Sequence, residues 1–314
     1  MGLILALDIG GTKMAAGIVD DSGALLVNHA TPTPRTPDAE QLFKTLLDLC
    51  EKVLATKPRD SVIAIGVGCG GPMDYATGRV SPLNIPAWRE FPLRDRLTAA
   101  FHWPTVVDND AKAYALGEHW VGEGQGSRAL LGMVVSTGVG GGIVLEGKLI
   151  HGARGNAGHI GHVIADPGGR QCACGARGCV EAIASGPSIV RQIRDAISSG
   201  RRTGLTTTAS AADVAAAARA GDALAQEVFA NVGKALGRGI AAACALIDLD
   251  RVVIGGGVSA AADLFSPVLR AELDRIARLE FCREIDVRVS SLVGEPSLVG
   301  AAALTAAQHW EERD

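Results

Sequence analysis

Residues Leu5 to Gly23 read L-A-L-D-I-G-G-T-K-M-A-A-G-I-V-D-D-S-G, and residues Gly132 to Lys148 read G-M-V-V-S-T-G-V-G-G-G-I-V-L-E-G-K. Both follow one plan: an apolar run of strand length, a small polar residue, a glycine turn, and a second strand carrying G-I-V. Two such hairpins predict two domains of similar topology that face each other across a cleft. The length agrees, since 314 residues is about twice the commonest domain size.

Working outward from the hairpins, apolar runs at Leu3–Leu7, Val62–Val67, Thr105–Val107, Ala129–Val135 and Val252–Ile254 mostly end at glycine or aspartate. These read as buried strands of an α/β protein. Helical stretches lie between them, among them 40–56 and 222–247. In the second, Leu224, Val228, Val232, Leu236, Ile240 and Cys244 recur every four residues and form a core stripe. Gly233, Gly237 and Gly239 in that helix cost propensity and predict close approach of another backbone. The segment 198–210 reads as an exposed connection.

The charge balance, 30 basic against 34 acidic residues for a net −4, excludes a polybasic nucleic-acid or membrane-surface binder. The expected partners are a small molecule and a second copy of the chain. Leu3–Leu7 runs straight into Asp8 and glycines rather than into a cleavage site, which places the expectation in the cytoplasm. There thiols stay reduced, and clustered cysteines are metal ligands before they are disulfides. Three of the seven cysteines cluster in C-A-C-G-A-R-G-C after a G-H. His162, Cys172, Cys174 and Cys179 therefore read as a closed three-sulfur, one-nitrogen zinc site. Cys50, Cys69, Cys244 and Cys282 sit in apolar runs and read as core.

Three glycine turns bear on anion binding. In D-I-G-G-T-K, Gly10 and Gly11 permit a tight turn whose amides around Thr12 and Lys13 can face a phosphate, with Lys13 adding charge. Ser136-Thr137-Gly138, followed by Gly140 to Gly142, offers a second amide and hydroxyl set. Gly255-Gly256-Gly257, before an expected helix cap at Ser259, leaves room for a flat ligand on the backbone. No Walker loop occurs.

D-I-G-G-T-K, S-T-G-V-G-G-G, G-H-I-G-H, C-A-C-G-A-R-G-C-V-E and V-V-I-G-G-G stand in the order found in the ROK family (repressors, open reading frames, kinases), and the chain resembles that family over nearly its whole length. The resemblance implies two domains of actin/hexokinase-like, ribonuclease H-like topology around a sugar and ATP cleft. A zinc-bound loop at 154–181 would support the sugar site. It implies a smaller domain at 1–109, rejoined by a C-terminal helix at about 298–314, and a larger one at 110–297.

Carried over by position, the family's catalytic base falls on Asp110 in V-V-D-N-D-A-K-A. A positioned carboxylate suits a sugar hydroxyl, a poor nucleophile that gains from a proton acceptor alongside magnesium and amides on the phosphates. Asp110 is equally a candidate helix cap at a strand-to-helix junction. Asp108 would share its face only if the strand ran that far. Asp8 matches the aspartate near the transferred phosphate and magnesium, though it also suits a turn. The family's sugar contacts fall on Asn84, Asn109, Asp110, His162 and Glu181. Thr12, Thr137, Gly138 and the 255–257 run fall among its nucleotide contacts.

One residue departs from the pattern. Where sugar kinases of this family carry E-x-G-H, this chain has His159-Ile160-Gly161-His162. An imidazole that donates or accepts replaces an acceptor-only carboxylate, so the reading of sugar hydroxyls changes. The same histidine occurs in bacterial N-acetylmannosamine kinases, whereas N-I-P-A-W around Trp88 is similar to glucokinases. The resemblance thus implies ATP-dependent phosphorylation of an aldohexose 6-hydroxyl, with glucose first and N-acetylmannosamine the alternative, by a homodimer. A sugar-responsive repressor of the same family would carry a helix-turn-helix before D-I-G-G-T, which here begins at Asp8.

Overall fold

The computed structural model describes residues 2–311, with side chains through Ala306. Residues 312–314 of the expected C-terminal helix lie outside the described residues. The elements in chain order are β1 (Leu3–Ile9), β2 (Lys13–Val19), β3 (Leu25–Pro32), α1 (Ala39–Leu54), β4 (Val62–Cys69), β5 (Met73–Asp74), β6 (Arg79–Val80), α2 (Leu93–Phe101), β7 (Thr105–Asn109), α3 (Asp110–Val121), β8 (Ala129–Val135), β9 (Val139–Leu145) and β10 (Lys148–Leu149). They continue with α4 (Val180–Ala184), α5 (Gly186–Ser198), α6 (Ala211–Arg219), α7 (Ala223–Ile247), β11 (Arg251–Gly255), α8 (Ala262–Ile276), α9 (Glu280–Arg283), β12 (Asp286–Val289) and α10 (Pro296–Glu311). Among the described residues no helix is long and apolar enough to cross a membrane.

The chain forms two compact units. The first comprises Met1–Gly126, Gly142–Ala157 and Ser291–Asp314. Its sheet runs β3-β2-β1-β4-β7. β1 and β4 are apolar on both faces and sit centrally, while burial along β3 alternates residue by residue, as at an edge with one solvated face. α1 starts where Asp38 accepts the amides of Glu40 and Gln41, and it buries Leu42, Phe43, Leu46, Leu49, Cys50 and Val53 against one sheet face. Trp88, stacked on Phe91 at 4.6 Å, closes that core. On the opposite face α10 lays Leu298, Ala301 and Ala302 against Ile4, Ala6, Ala15 and Val19. It rests directly on the sheet, because a Cβ on Gly66 would lie 1.9 Å from the Ala301 carbonyl oxygen.

This partition differs from the division at 109/110. α3 stays with the first unit because small residues bring it onto α10, where a Cβ on Gly117 would fall 2.8 Å from Gly300 Cα.

The second unit comprises Ser127–Gly141 and Gly158–Ser290, with β9 continuing across the partition. The sheet order β10-β9-β8-β11-β12 repeats that of the first sheet strand for strand, and β8, β11 and β12 pair in parallel as β1, β4 and β7 do. The duplicated plan read from the two hairpins is therefore the fold. In α7, capped by Asp222, the expected apolar stripe is buried. A Cβ on Gly233 would lie 2.6 Å from the Phe265 carbonyl oxygen of α8, and one on Gly237 would lie 3.0 Å from that of Leu269. Gly239 instead meets the side chains of Val180 and Ile160, so only two of the three glycines serve backbone contact.

Candidate active site

Asp8 lies next to the end of β1. Register across the first sheet aligns Asp8 with Gly68 of β4, and Gly68 with Asp108 of β7. β7 stops at Asn109, and the chain turns at once into α3. Asp108 and Asp110 therefore do not share a face: Asp108 is fully buried and Asp110 is exposed. The cap position belongs to Asn109, whose Oδ1 accepts the Ala111 amide at 3.1 Å. Asp110 is the first helical residue, and its Oδ1 accepts the same amide at 2.8 Å. Its charge sits at the positive end of the α3 dipole, which favours the carboxylate. Gly68 packs beneath Asp110, where a Cβ would meet Asp110 Cα at an ordinary contact distance of 3.5 Å.

Burial pushes the Asp8 carboxyl up to about 6. The Ser297 hydroxyl pulls it down, Asp110 pushes it up, Lys13 lowers it and Glu295 raises it. Ser297 and Glu295, at the start of α10, are absent from the sequence reading. No local pattern marks them, because they reach Asp8 only through the docking of a helix from the far end of the chain.

In the first glycine turn the Gly10 amide donates to the Lys13 carbonyl at 3.0 Å, and Thr33 Oγ1 donates to the Gly10 carbonyl at 2.6 Å. Thr12 is exposed at the tip. Neither Gly10 nor Gly11 adopts a left-handed conformation, which corrects the expected reason for glycine here. The reason is space: a Cβ on Gly11 would fall 2.3 Å from Asn84 Cβ. Asn84 is thereby seated against the phosphate-type turn. Lys13 Nζ donates to both Glu295 carboxylate oxygens at 2.9 and 3.0 Å, so the charge it brings to the turn is shared with an acid.

The remaining candidate residues belong to the second unit. Thr137 is exposed at the tip of the β8–β9 turn, which the Ser136 amide closes on the Gly138 carbonyl at 2.8 Å. The Val139 amide donates to Glu181 Oε2 at 2.9 Å, and a Cβ on Gly138 would fall 2.8 Å from that oxygen. Glu181, on α4, therefore ties this turn to the cysteine loop. Gly256 and Gly257 are exposed beyond the buried Gly255, and Gly257 borders Ser136 Oγ. Ser259 is not a helix cap: it lies inside a short 3-10 turn, its hydroxyl donates to the Gly256 carbonyl, and α8 begins after Ala261. His159 precedes and His162 ends another 3-10 turn, their rings 6.1 Å apart.

The ligand atoms of His162, Cys172, Cys174 and Cys179 all lie within 4.8 Å of one another. A tetrahedral zinc with metal–sulfur bonds of about 2.3 Å has sulfur–sulfur edges of about 3.8 Å. Cys174 Sγ and Cys179 Sγ are 3.7 Å apart, and Cys172 Sγ is 3.9 Å from His162 Nδ1. Burial and the neighbouring thiols Cys172 and Cys174 push the Cys179 thiol up to about 12, whereas the Ala176 amide holds Cys174 low. Such a group of thiols favours a divalent cation that displaces their protons. The loop depends on a crowded turn, for a Cβ on Gly178 would lie 1.5 Å from the Asp166 carbonyl oxygen.

The sequence profile of the ROK family matches residues 4–308. The chain is 32% identical over 313 residues to a glucokinase of Halalkalibacterium halodurans, covering 97% of this chain and 95% of that protein. It is 38% identical over 273 residues to an N-acetylmannosamine kinase of Yersinia pseudotuberculosis, covering 87% of this chain and 89% of that one. The crystal structure of a ROK family glucokinase from Streptomyces griseus, in complex with glucose and AMPPNP, superposes with a TM-score of 0.81 at 33% identity, covering 96% and 99% of the two chains.

Because the native Asp8 carboxyl titrates at about 6 against 3.8 for the free group, the folded protein holds a proton that the unfolded chain has lost. Between these values stability falls as pH rises. Urea titrations across this range are expected to show that fall in the wild type and a flatter profile in Asp8→Asn. An identical slope in both proteins would place the titrating group elsewhere.

Proposed function

The chain belongs to the ROK family, and we propose that it is an ATP-dependent sugar kinase that phosphorylates the 6-hydroxyl of an aldohexose, glucose first among them. The observation that carries this reading is Asp110: an exposed carboxylate at the head of α3, close to the half-buried carboxylate of Asp8, in a chain similar throughout to glucokinases. Asp110 accepts the proton of the attacking hydroxyl, which sharpens an otherwise weak nucleophile. The turns at Gly10–Lys13 and Thr137–Gly138 present backbone amides and hydroxyls to the nucleotide phosphates, and the Gly255–Gly257 run takes the flat part of the nucleotide.

Asp8, with its charge held back by burial and with Asp110 and Glu295 nearby, is the residue suited to a hard cation. Magnesium there would supply the neutralising charge that phosphoryl transfer needs. Asn84, Asn109, His159, His162 and Glu181 read the hexose. Zinc on His162, Cys172, Cys174 and Cys179 holds the segment that bears three of these. A homodimer in the cytoplasm completes the reading, with no nucleic-acid or membrane partner.

N-acetylmannosamine is the second substrate supported by a specific observation. His159 stands where a carboxylate is usual, and an N-acetylmannosamine kinase is among the relatives.

Asp110→Asn is expected to lower turnover by at least about 100-fold while hexose affinity, read by calorimetry, stays near wild type. Turnover near wild type would remove Asp110 from the role of base. Elemental analysis is expected to find about one zinc per chain, and Cys172→Ala to raise the hexose KM. Less than about half a zinc in freshly purified protein would contradict a four-ligand structural site.

A further inference from the structure

Among the described residues one lysine, which phosphoryl transfer does not use, is fully buried. Lys112 lies on α3, two residues after Asp110, and is 1% exposed. Its Nζ donates to Asp108 Oδ1 at 2.5 Å and to the Gly155 carbonyl at 3.0 Å, and stands 3.4 Å from His151 Nδ1. The ammonium thus has a carboxylate, a carbonyl and an imidazole around its three protons. The face of Tyr75 lies 5.5 Å away, and Tyr75 in turn stacks on His151 at 3.9 Å. His151 Nδ1 also stands 3.0 Å from Asp108 Oδ2.

Filling this space would need only an apolar side chain, and a buried ion pair is a poor way to gain stability alone. What the ammonium adds is a bond to Gly155. That residue sits in the middle of 152–158, a segment with no helix or strand in which Gly152, Gly155 and Gly158 all have positive φ. Gly155 itself is tightly placed, because a Cβ on it would fall 2.9 Å from Tyr75 Cβ. The segment leads directly into His159.

We propose that Lys112 is a positioning residue for hexose recognition: its bond to the Gly155 carbonyl fixes the segment ahead of His159, and the ion pair with Asp108 anchors the ammonium. The assignment rests on the sugar-kinase reading.

The test compares wild type, the double variants Asp108→Asn/Lys112→Met and Asp108→Asn/Lys112→Gln, and Gly155→Ala, with glucose, ATP and magnesium. Both double variants remove the two charges together, so neither strands a buried carboxylate. The Met form is expected to unfold within about 5 °C of wild type and to keep kcat and the ATP KM within about threefold, while its glucose KM rises about tenfold. The Gln form restores an N–H donor to Gly155 and recovers much of that loss. Gly155→Ala, which leaves the ion pair intact and displaces the segment, raises the glucose KM in the same way. It stands as the deciding variant if the double variants do not fold. A wild-type glucose KM in Gly155→Ala, or equal glucose KM values in the two double variants, would overturn the proposal and leave Lys112 as half of a structural ion pair. A wild type inactive on every hexose would instead overturn the kinase reading.

Discussion

Asp8, Gly68 and Asp108 stand in one row across the first sheet because β1, β4 and β7 pair in parallel at that register, and the electrostatics of the first unit follow from that row. Asp110 enters two residues later, at the head of α3, and raises the Asp8 carboxyl electrostatically. Acids gathered this closely are tolerable only if each is answered. Asp8 has the Ser297 hydroxyl and keeps its proton up to about 6, Asp110 has the α3 N-terminus, Glu295 has Lys13, and Asp108 has Lys112. Removing Lys112 alone would leave a buried charge unmatched, a loss of about 3–5 kcal/mol. The sheet register and the ion pairs are thus one constraint.

In the second unit the corresponding constraint is the cysteine loop. Its four ligand atoms already stand at distances that suit a tetrahedral ion, and a site with four protein ligands has no open position for substrate. A metal held by these four ligands would be structural rather than a Lewis acid. The bond from the Val139 amide to Glu181 carries the same order into the neighbouring turn, so a residue assigned to the hexose and a turn assigned to phosphate are positioned by one carboxylate.

The duplicated hairpins, the buried strands, the α7 stripe and the clustering of His162, Cys172, Cys174 and Cys179 were legible in the sequence, because each is a short-range pattern with a physical cause. What escaped depends on distant docking or on a choice between neighbours. Ser297 and Glu295 meet Asp8 only when α10 returns to the sheet. Lys112 reads as an ordinary helical lysine until Asp108, His151 and Gly155 are seen around it. Asn109 and Asp110 are both able to cap a helix, and only the end of β7 decides between them. In D-I-G-G-T-K, Gly11 is needed because Asn84 occupies the space its side chain would fill, while a Cβ on Gly10 would crowd the Lys13 carbonyl oxygen at 3.1 Å; neither position has positive φ.

Every role assigned above converges on transfer of phosphate from ATP to a hexose 6-hydroxyl. Phosphorus and proton NMR of the product, after incubation with magnesium-ATP and glucose, mannose, N-acetylglucosamine or N-acetylmannosamine in turn, tests it most directly. A 6-phosphate from glucose or N-acetylmannosamine, with stoichiometric ADP, is the expected product. ATP left intact with all four sugars, or phosphate placed on another hydroxyl, would contradict it.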